Sequence, residues 1–128
     1  MLADYAPIPT LAVTDLARAR EFYEGVLHLT LQREIPDEGL LFGAGSGSIL
    51  VYPSAFAGTN KATAMGFDVP ASAFDAEVAA LRAEGVSFLT FDMAGLTWDD
   101  GVASMEDQGK AVWFEDPDGN ILNISVMD

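Results

Sequence analysis

Apolar and polar positions along the chain fall into short blocks, and the blocks recur in the same order twice. Residues 8–13 form an apolar run entered through Pro7 and Pro9, which predicts a strand leaving an irregular start. Thr14 and Asp15 then offer a helix N-cap, followed by Leu16, Ala19, Phe22, Tyr23, Val26 and Leu27 at helical spacing. Strands are predicted at residues 29–34, 40–42 and 48–52, separated by the turn-rich tracts Pro36-Asp37-Glu38-Gly39 and Gly43-Ala44-Gly45-Ser46-Gly47. The order then restarts. Residues 64–69 predict a strand, and Ser72 with Asp75 predicts a capping-box start to a second helix. Phe74, Val78 and Leu81 share one face of that helix, and Gly85 stands where a left-handed C-cap is needed. Residues 86–91 predict a further strand, residues 92–109 a long polar insertion, and residues 110–115 and 121–126 a closing hairpin turned by Asp116-Pro117-Asp118-Gly119-Asn120.

The pattern is therefore βαβββ followed by βαβββ, an α+β arrangement with module 1 at about residues 6–55 and module 2 at about 62–128. Each module would leave an apolar sheet face needing cover. Two modules laid edge to edge, within a chain or across a pair of chains, give a curved mixed sheet around a cleft. The 128 residues suit one domain, and a composition half apolar and one-fifth charged is that of a folded protein.

Charge and composition narrow the function. Twenty acidic residues against six basic ones give a net charge of −14, which excludes nucleic acid as a partner, since its phosphates would be repelled. The same charge is compatible with a cationic ligand, although its first consequence is solubility. No apolar run approaches the roughly 18 residues that span a membrane, and the N-terminus does not read as a secretory signal. With no cysteine, there are no disulfides, thiolate metal sites or Cys nucleophile. A cytoplasmic protein without membrane partners is expected.

Two stretches resemble the vicinal oxygen chelate superfamily, the glyoxalase, bleomycin-resistance and extradiol dioxygenase group. Val13-Thr14-Asp15-Leu16 running through Glu21-Phe22-Tyr23 to Val26-Leu27 is similar to that family's first strand-to-helix passage. Val112-Trp113-Phe114-Glu115-Asp116-Pro117-Asp118-Gly119-Asn120 is similar to its final hairpin. The resemblance implies two βαβββ modules and, in metal-using members, one ligand from the first and last strand of each module. Carried onto this chain, those four positions are Ile8, Val51, Ala64 and Asn123. Three of them hold no donor atom, and a neutral Asn is a weak ligand, so no metal and no other cofactor is expected. The acidic residues, including Asp99-Asp100, Glu106-Asp107 and Asp116-x-Asp118, lack the spacing of a calcium loop and are expected to be surface groups.

The single histidine, His28, follows the first helix where a left-handed residue is needed, and is expected to cap the helix rather than to catalyse. If the four mapped positions face inward, strand alternation adds Thr10, Ile49, Gly66, Asp68, Ile121 and Ser125. Trp113 falls where the resemblance implies a substrate-contacting aromatic, and Trp98 lies in the long polar segment expected to cover the cleft. The candidate ligand-binding residues are thus Ile8, Thr10, Val51, Ala64, Trp98, Trp113, Asn123 and Ser125. No catalytic residue stands out. The expected function is metal-independent binding of a small organic molecule, aromatic or cationic, in the manner the resemblance to bleomycin-resistance proteins implies. The alternative is a glyoxalase- or dioxygenase-like enzyme acting on a small oxygenated substrate. The resemblance also implies a homodimer.

Overall fold

A computed structural model describes residues 1–105 and 109–126; the Glu106-Asp107 pair lies outside the described residues. The chain divides into two compact units. The first holds Met1–Asn60 together with Asp116–Asn120, and the second holds Lys61–Glu115 and the chain from Ile121 onward.

In the first unit a four-stranded sheet has the order β1-β4-β3-β2, from β1 (Thr10–Val13), β2 (Thr30–Ile35), β3 (Gly39–Ala44) and β4 (Gly47–Pro53). β1 runs parallel to β4 and the other pairs are antiparallel. Between β1 and β2 lies α1 (Leu16–Arg20), which continues as a π-helical turn over Glu21–Val26. Asp15 caps it, its Oδ1 accepting from the amides of Ala17 and Arg18. The helix ends at His28, whose φ of 59° is the left-handed geometry expected there. Tyr23 reaches the Phe42 ring at 5.8 Å, which fixes the core side of the sheet. Leu11, Val13, Leu40, Phe42, Ile49 and Val51 line that side, all buried.

In the second unit the sheet order is β5-β9-β8-β7-β6, from β5 (Thr63–Asp68), β6 (Leu96–Asp99), β7 (Val102–Met105), β8 (Lys110–Glu115) and β9 (Ile121–Ser125). One face carries Met65, Val112, Phe114, Leu122 and Ile124, all buried, and α2 (Ala71–Ala83) buries Phe74, Val78 and Leu81. A one-sided sheet and an amphipathic helix cover each other. The side is fixed by Phe88, which contacts the Phe114 ring at 6.4 Å and lies under the Arg82 guanidinium of α2.

Three expectations are corrected in this unit. The second helix starts at Ala71 behind Pro70, with no side-chain cap; Ser72 lies inside it, because Pro70 already imposes the extended backbone an N-cap needs. Its C-terminus is as expected: Gly85 has φ 84°, and the amides of Gly85 and Val86 bond the carbonyls of Arg82 and Leu81. The strand expected at residues 86–91 is reduced to a single bridge from Leu89 to Trp113, because β7 takes the neighbouring stretch of the same β8 edge. The tract expected to be a long covering segment is instead the β6–β7 hairpin. Its turn is Asp100-Gly101, with φ of 49° and 81°, the paired left-handed residues of a tight hairpin. Arg82 holds that turn, with Nη1 2.8 Å from the Asp100 carboxylate and Nη2 on the Asp100 carbonyl. Among the described residues no helix is long and apolar enough to cross a membrane.

Candidate functional site

The open face of the second sheet is set by register. Trp113 on β8 stands opposite Asn123 on β9, which stands opposite Gly66 on β5. Directly paired residues project to the same side. The next row runs Trp98, Ala103, Ala111, Ser125 and Asp68 across β6, β7, β8, β9 and β5. All of these therefore lie on the side away from α2. The alanines in that row are enclosed, whereas both tryptophans, Asn123 and Ser125 are half-buried.

Phe91 joins the two indoles. Its ring lies 4.9 Å from Trp113 and 5.3 Å from Trp98, each at 74°, and the indoles are 6.0 Å apart at 53°. Phe91 meets each indole edge to face and the two indoles are tilted to one another, which leaves no box between the rings for a cation. They form a contiguous aromatic platform of inclined rings instead. Phe91 itself is 37% exposed. Beside it, the Asn123 side chain lies over β5, and a Cβ at residue 66 would come within 2.1 Å of its Oδ1. Only glycine at 66 leaves that space. The face thus has an aromatic half on β6–β8 and a polar half on β9 and β5.

Four of the eight expected site residues, Trp98, Trp113, Asn123 and Ser125, come together here. Ala64 is the extra residue of a β-bulge in β5, because Thr63 pairs with Ile121 while Met65 pairs with Leu122. The three expected in the first unit are not part of this face. Ile8 precedes β1 and is 49% exposed, and Thr10 is exposed, its hydroxyl donating to the Ile8 carbonyl. Val51 is corrected: it is fully buried in the row of Leu11 and Leu40, on the helix side, and Ile49 shares that side. The error lies in matching Gly47 to Gly119. β4 begins at Gly47, directly after the tight turn, whereas β9 begins two residues beyond Gly119, so the side-chain parity differs by one.

Phe91 is not among the site residues that the sequence singles out. The Asp-Gly hairpin signal at 100–101 could have placed Trp98 on a strand and pointed to a ring across from it.

A second cluster lies in the first unit. Asp116 and Asp118, expected at the surface, are buried, which corrects that expectation. Asp116 is 4% exposed, and the Asp118 side chain is 3% exposed. Asp116 Oδ1 accepts the backbone amides of Asp118 and Asn120, and its Oδ2 accepts from Tyr23 Oη and Asn120 Nδ2, both at 2.8 Å. Asn120 also donates to the Ala12 carbonyl. Asp118 Oδ1 accepts from the Thr14 amide, the Thr14 hydroxyl and Arg18 Nη2, while Asp118 Oδ2 has no hydrogen-bond partner among the described residues. Burial first, and then the Asp116 carboxylate, hold the Tyr23 hydroxyl far above the usual tyrosine range, so it stays a proton donor.

An open concavity of about 590 Å³ lies behind the β6–β7 turn, lined by Arg82, Val86, Phe88 and Asp100 among others. Its charged groups pair with each other, which leaves it no evident ligand chemistry.

The metal that the resemblance implies can be tested against these residues. The open-face positions of β5 and β9 hold Gly66 and Asn123, β1 and β4 pair Thr10 with Leu50, and no group of three or more His, Cys, Asp or Glu is placed to hold an ion among the described residues. This donor set does not fit a divalent ion.

Two βα modules, each ending in a parallel pair of its first and last strands, define the class. The chain belongs to the Glyoxalase/Bleomycin resistance protein/Dioxygenase superfamily, which it matches over residues 6–124. Among solved structures it is similar to lactoylglutathione lyase from Agrobacterium tumefaciens, with a TM-score of 0.73, 16% identity and coverage of 94% of this chain and 92% of that one. It is also similar to the fosfomycin resistance protein FosX from Listeria monocytogenes, with a TM-score of 0.72, 14% identity and coverage of 97% and 93%. A glyoxalase family protein from Enterococcus faecalis gives a TM-score of 0.71, 19% identity and coverage of 98% and 99%. At these identities the likeness is one of fold. No curated protein matches the chain.

Proposed function

We propose that this protein binds a small, flat organic molecule on the open face of its second sheet, without a metal ion. The observation that carries this reading is the Phe91–Trp98–Trp113 platform, three large rings left partly exposed beside a half-buried amide. Exposed aromatic surface costs free energy in water, and a planar ligand stacking on it recovers that cost. The net charge of −14 favours a neutral or cationic ligand over an anionic one. A binding role is favoured over catalysis because neither row of the face holds a His, Cys or Lys, and its one hydroxyl, Ser125, and one carboxylate, the exposed Asp68, have no third group in those rows to orient a base. The protein is read as cytoplasmic and as a homodimer, in line with its cysteine-free composition and its family.

A thermal-shift screen of planar aromatic compounds tests the proposal, since a ligand that binds only the native state raises the melting temperature. Compounds should stabilise the wild type and fail to stabilise Trp113→Ala. Equal stabilisation of both proteins would remove the platform from the account.

A further inference from the structure

The polar half of the open face offers groups whose chemistry specifies a ligand edge. Among the described residues the Asn123 amide and the Ser125 hydroxyl make no hydrogen bond, although both side chains are half-buried. They sit two residues apart on β9, on the same side as Trp113. A half-buried amide offers one acceptor and two donors that a ligand edge can take over from water. Most half-buried amides fold back onto backbone. Here the side chain is laid over β5 instead, in the space that Gly66 leaves by lacking a Cβ. The amide is thus held next to a ring platform with its hydrogen-bonding capacity unused.

Resting on the stacking function proposed above, we infer that the ligand is a fused bicyclic aromatic whose far edge carries an adjacent N–H donor and C=O acceptor, as in a lactam. The size follows from strand spacing. Trp113 and the amide over β5 are separated by two strand intervals, about 10 Å, which exceeds one ring and suits two. The edge chemistry follows from the carboxamide. Its oxygen accepts the ligand N–H while its NH2 donates to the ligand carbonyl, a paired contact that neither a hydrocarbon edge nor a carboxylate edge can make. Ser125 can add a hydrogen bond of either sense. The surrounding negative charge disfavours a carboxylate in the same place.

The test uses three probes, 2-quinolone, N-methyl-2-quinolone and naphthalene, titrated against the full-length protein by tryptophan fluorescence. The chain has two tryptophans, and both stand on this face, so the signal reports on the site alone. Wild type should bind 2-quinolone about tenfold more tightly than either control, the N-methyl compound having lost its donor. Asn123→Leu should abolish that preference, so that 2-quinolone, its N-methyl derivative and naphthalene bind with similar affinity. Asn123→Asp, which keeps the side-chain shape and still accepts the ligand N–H but has no donor for the ligand carbonyl, should weaken 2-quinolone binding and guards against a folding defect in the leucine variant. Gly66→Ala should act in the same direction, because the new Cβ displaces the amide. If the three probes bind wild type equally, or if 2-quinolone binds Asn123→Asp as tightly as wild type, the lactam edge is wrong and the stacking function stands. If no probe changes the fluorescence, the stacking function falls as well.

Discussion

The D-P-D-G-N loop and the indole face differ in where their polar atoms find partners. Around the loop, Tyr23, Asp116, Asn120, Asp118, Thr14 and Arg18 offer a phenol, two carboxylates and a guanidinium, the usual materials of catalysis. Almost every one of their polar atoms is already bonded to another member of the set. The indole face has only an amide and a hydroxyl beside three rings, yet those groups are half-open and unbonded among the described residues. Reactive side chains that satisfy one another stabilise a fold, whereas plain ones bonded only to water can exchange it for a ligand. The loop also belongs to the first compact unit although the strands it joins belong to the second, so its hydrogen bonds fasten residues about 100 positions apart.

The comparison is broken most severely at Asp116. Asp116→Ala removes the acceptor of four hydrogen bonds and leaves buried donors without partners, a loss of about 4 kcal/mol. Urea unfolding would measure it, and a loss under about 1 kcal/mol would show that the network is not structural. Tyr23→Phe keeps the ring but removes one donor, and costs about 1–2 kcal/mol. It should also flatten the alkaline side of the stability curve. The Tyr23 proton is held more tightly in the folded state than in the unfolded chain, where tyrosine ionises near about pH 10. Stability from this group is therefore full below that pH and falls as pH rises past it. Melting temperatures of wild type and Tyr23→Phe should converge above about pH 10.

On the other side of the comparison, Trp113→Ala should weaken binding of a planar ligand at least about tenfold by removing the centre of the platform. The smallest effect belongs to His28. With its φ of 59° and a place outside both clusters, His28→Gly should leave ligand affinity unchanged and shift stability by less than about 1 kcal/mol. A large loss of binding in that variant would give the histidine a role the structure does not suggest.

Much of this was legible in the chain. Apolar runs and the 3.6 period located seven of the nine strands among the described residues and both α-helices, because most of these elements have a buried face whose spacing shows directly. The positive-φ ends at His28 and Gly85 were equally plain, since a left-handed residue must follow each helix. The β6–β7 hairpin was missed because β6 buries no residue fully and β7 only Ala103, so no apolar run marks either strand, and only Asp100-Gly101 marked the turn. Ser125 was reached through strand alternation, Asn123 and Trp113 through the family resemblance, and Trp98 through its place in the long polar segment. Val51 was misplaced by matching Gly47 to Gly119, because side-chain parity depends on where a strand begins and the two turns differ in length. The buried state of Asp116 could not be read at all. Its partners Tyr23 and Asn120 lie 93 and four residues away, and nothing local distinguishes an enclosed Asp-Pro-Asp-Gly from an exposed turn.

The most direct test of the central claim compares 2-quinolone binding by Tyr23→Phe and Trp113→Ala, using the two indole N–H resonances of the wild type as the reference. The wild-type indole signals should shift on addition of ligand, Tyr23→Phe should bind as the wild type does, and Trp113→Ala should show no shift of its remaining indole. Intact binding by Trp113→Ala together with lost binding by the folded Tyr23→Phe variant would place the ligand at the polar network and contradict the account.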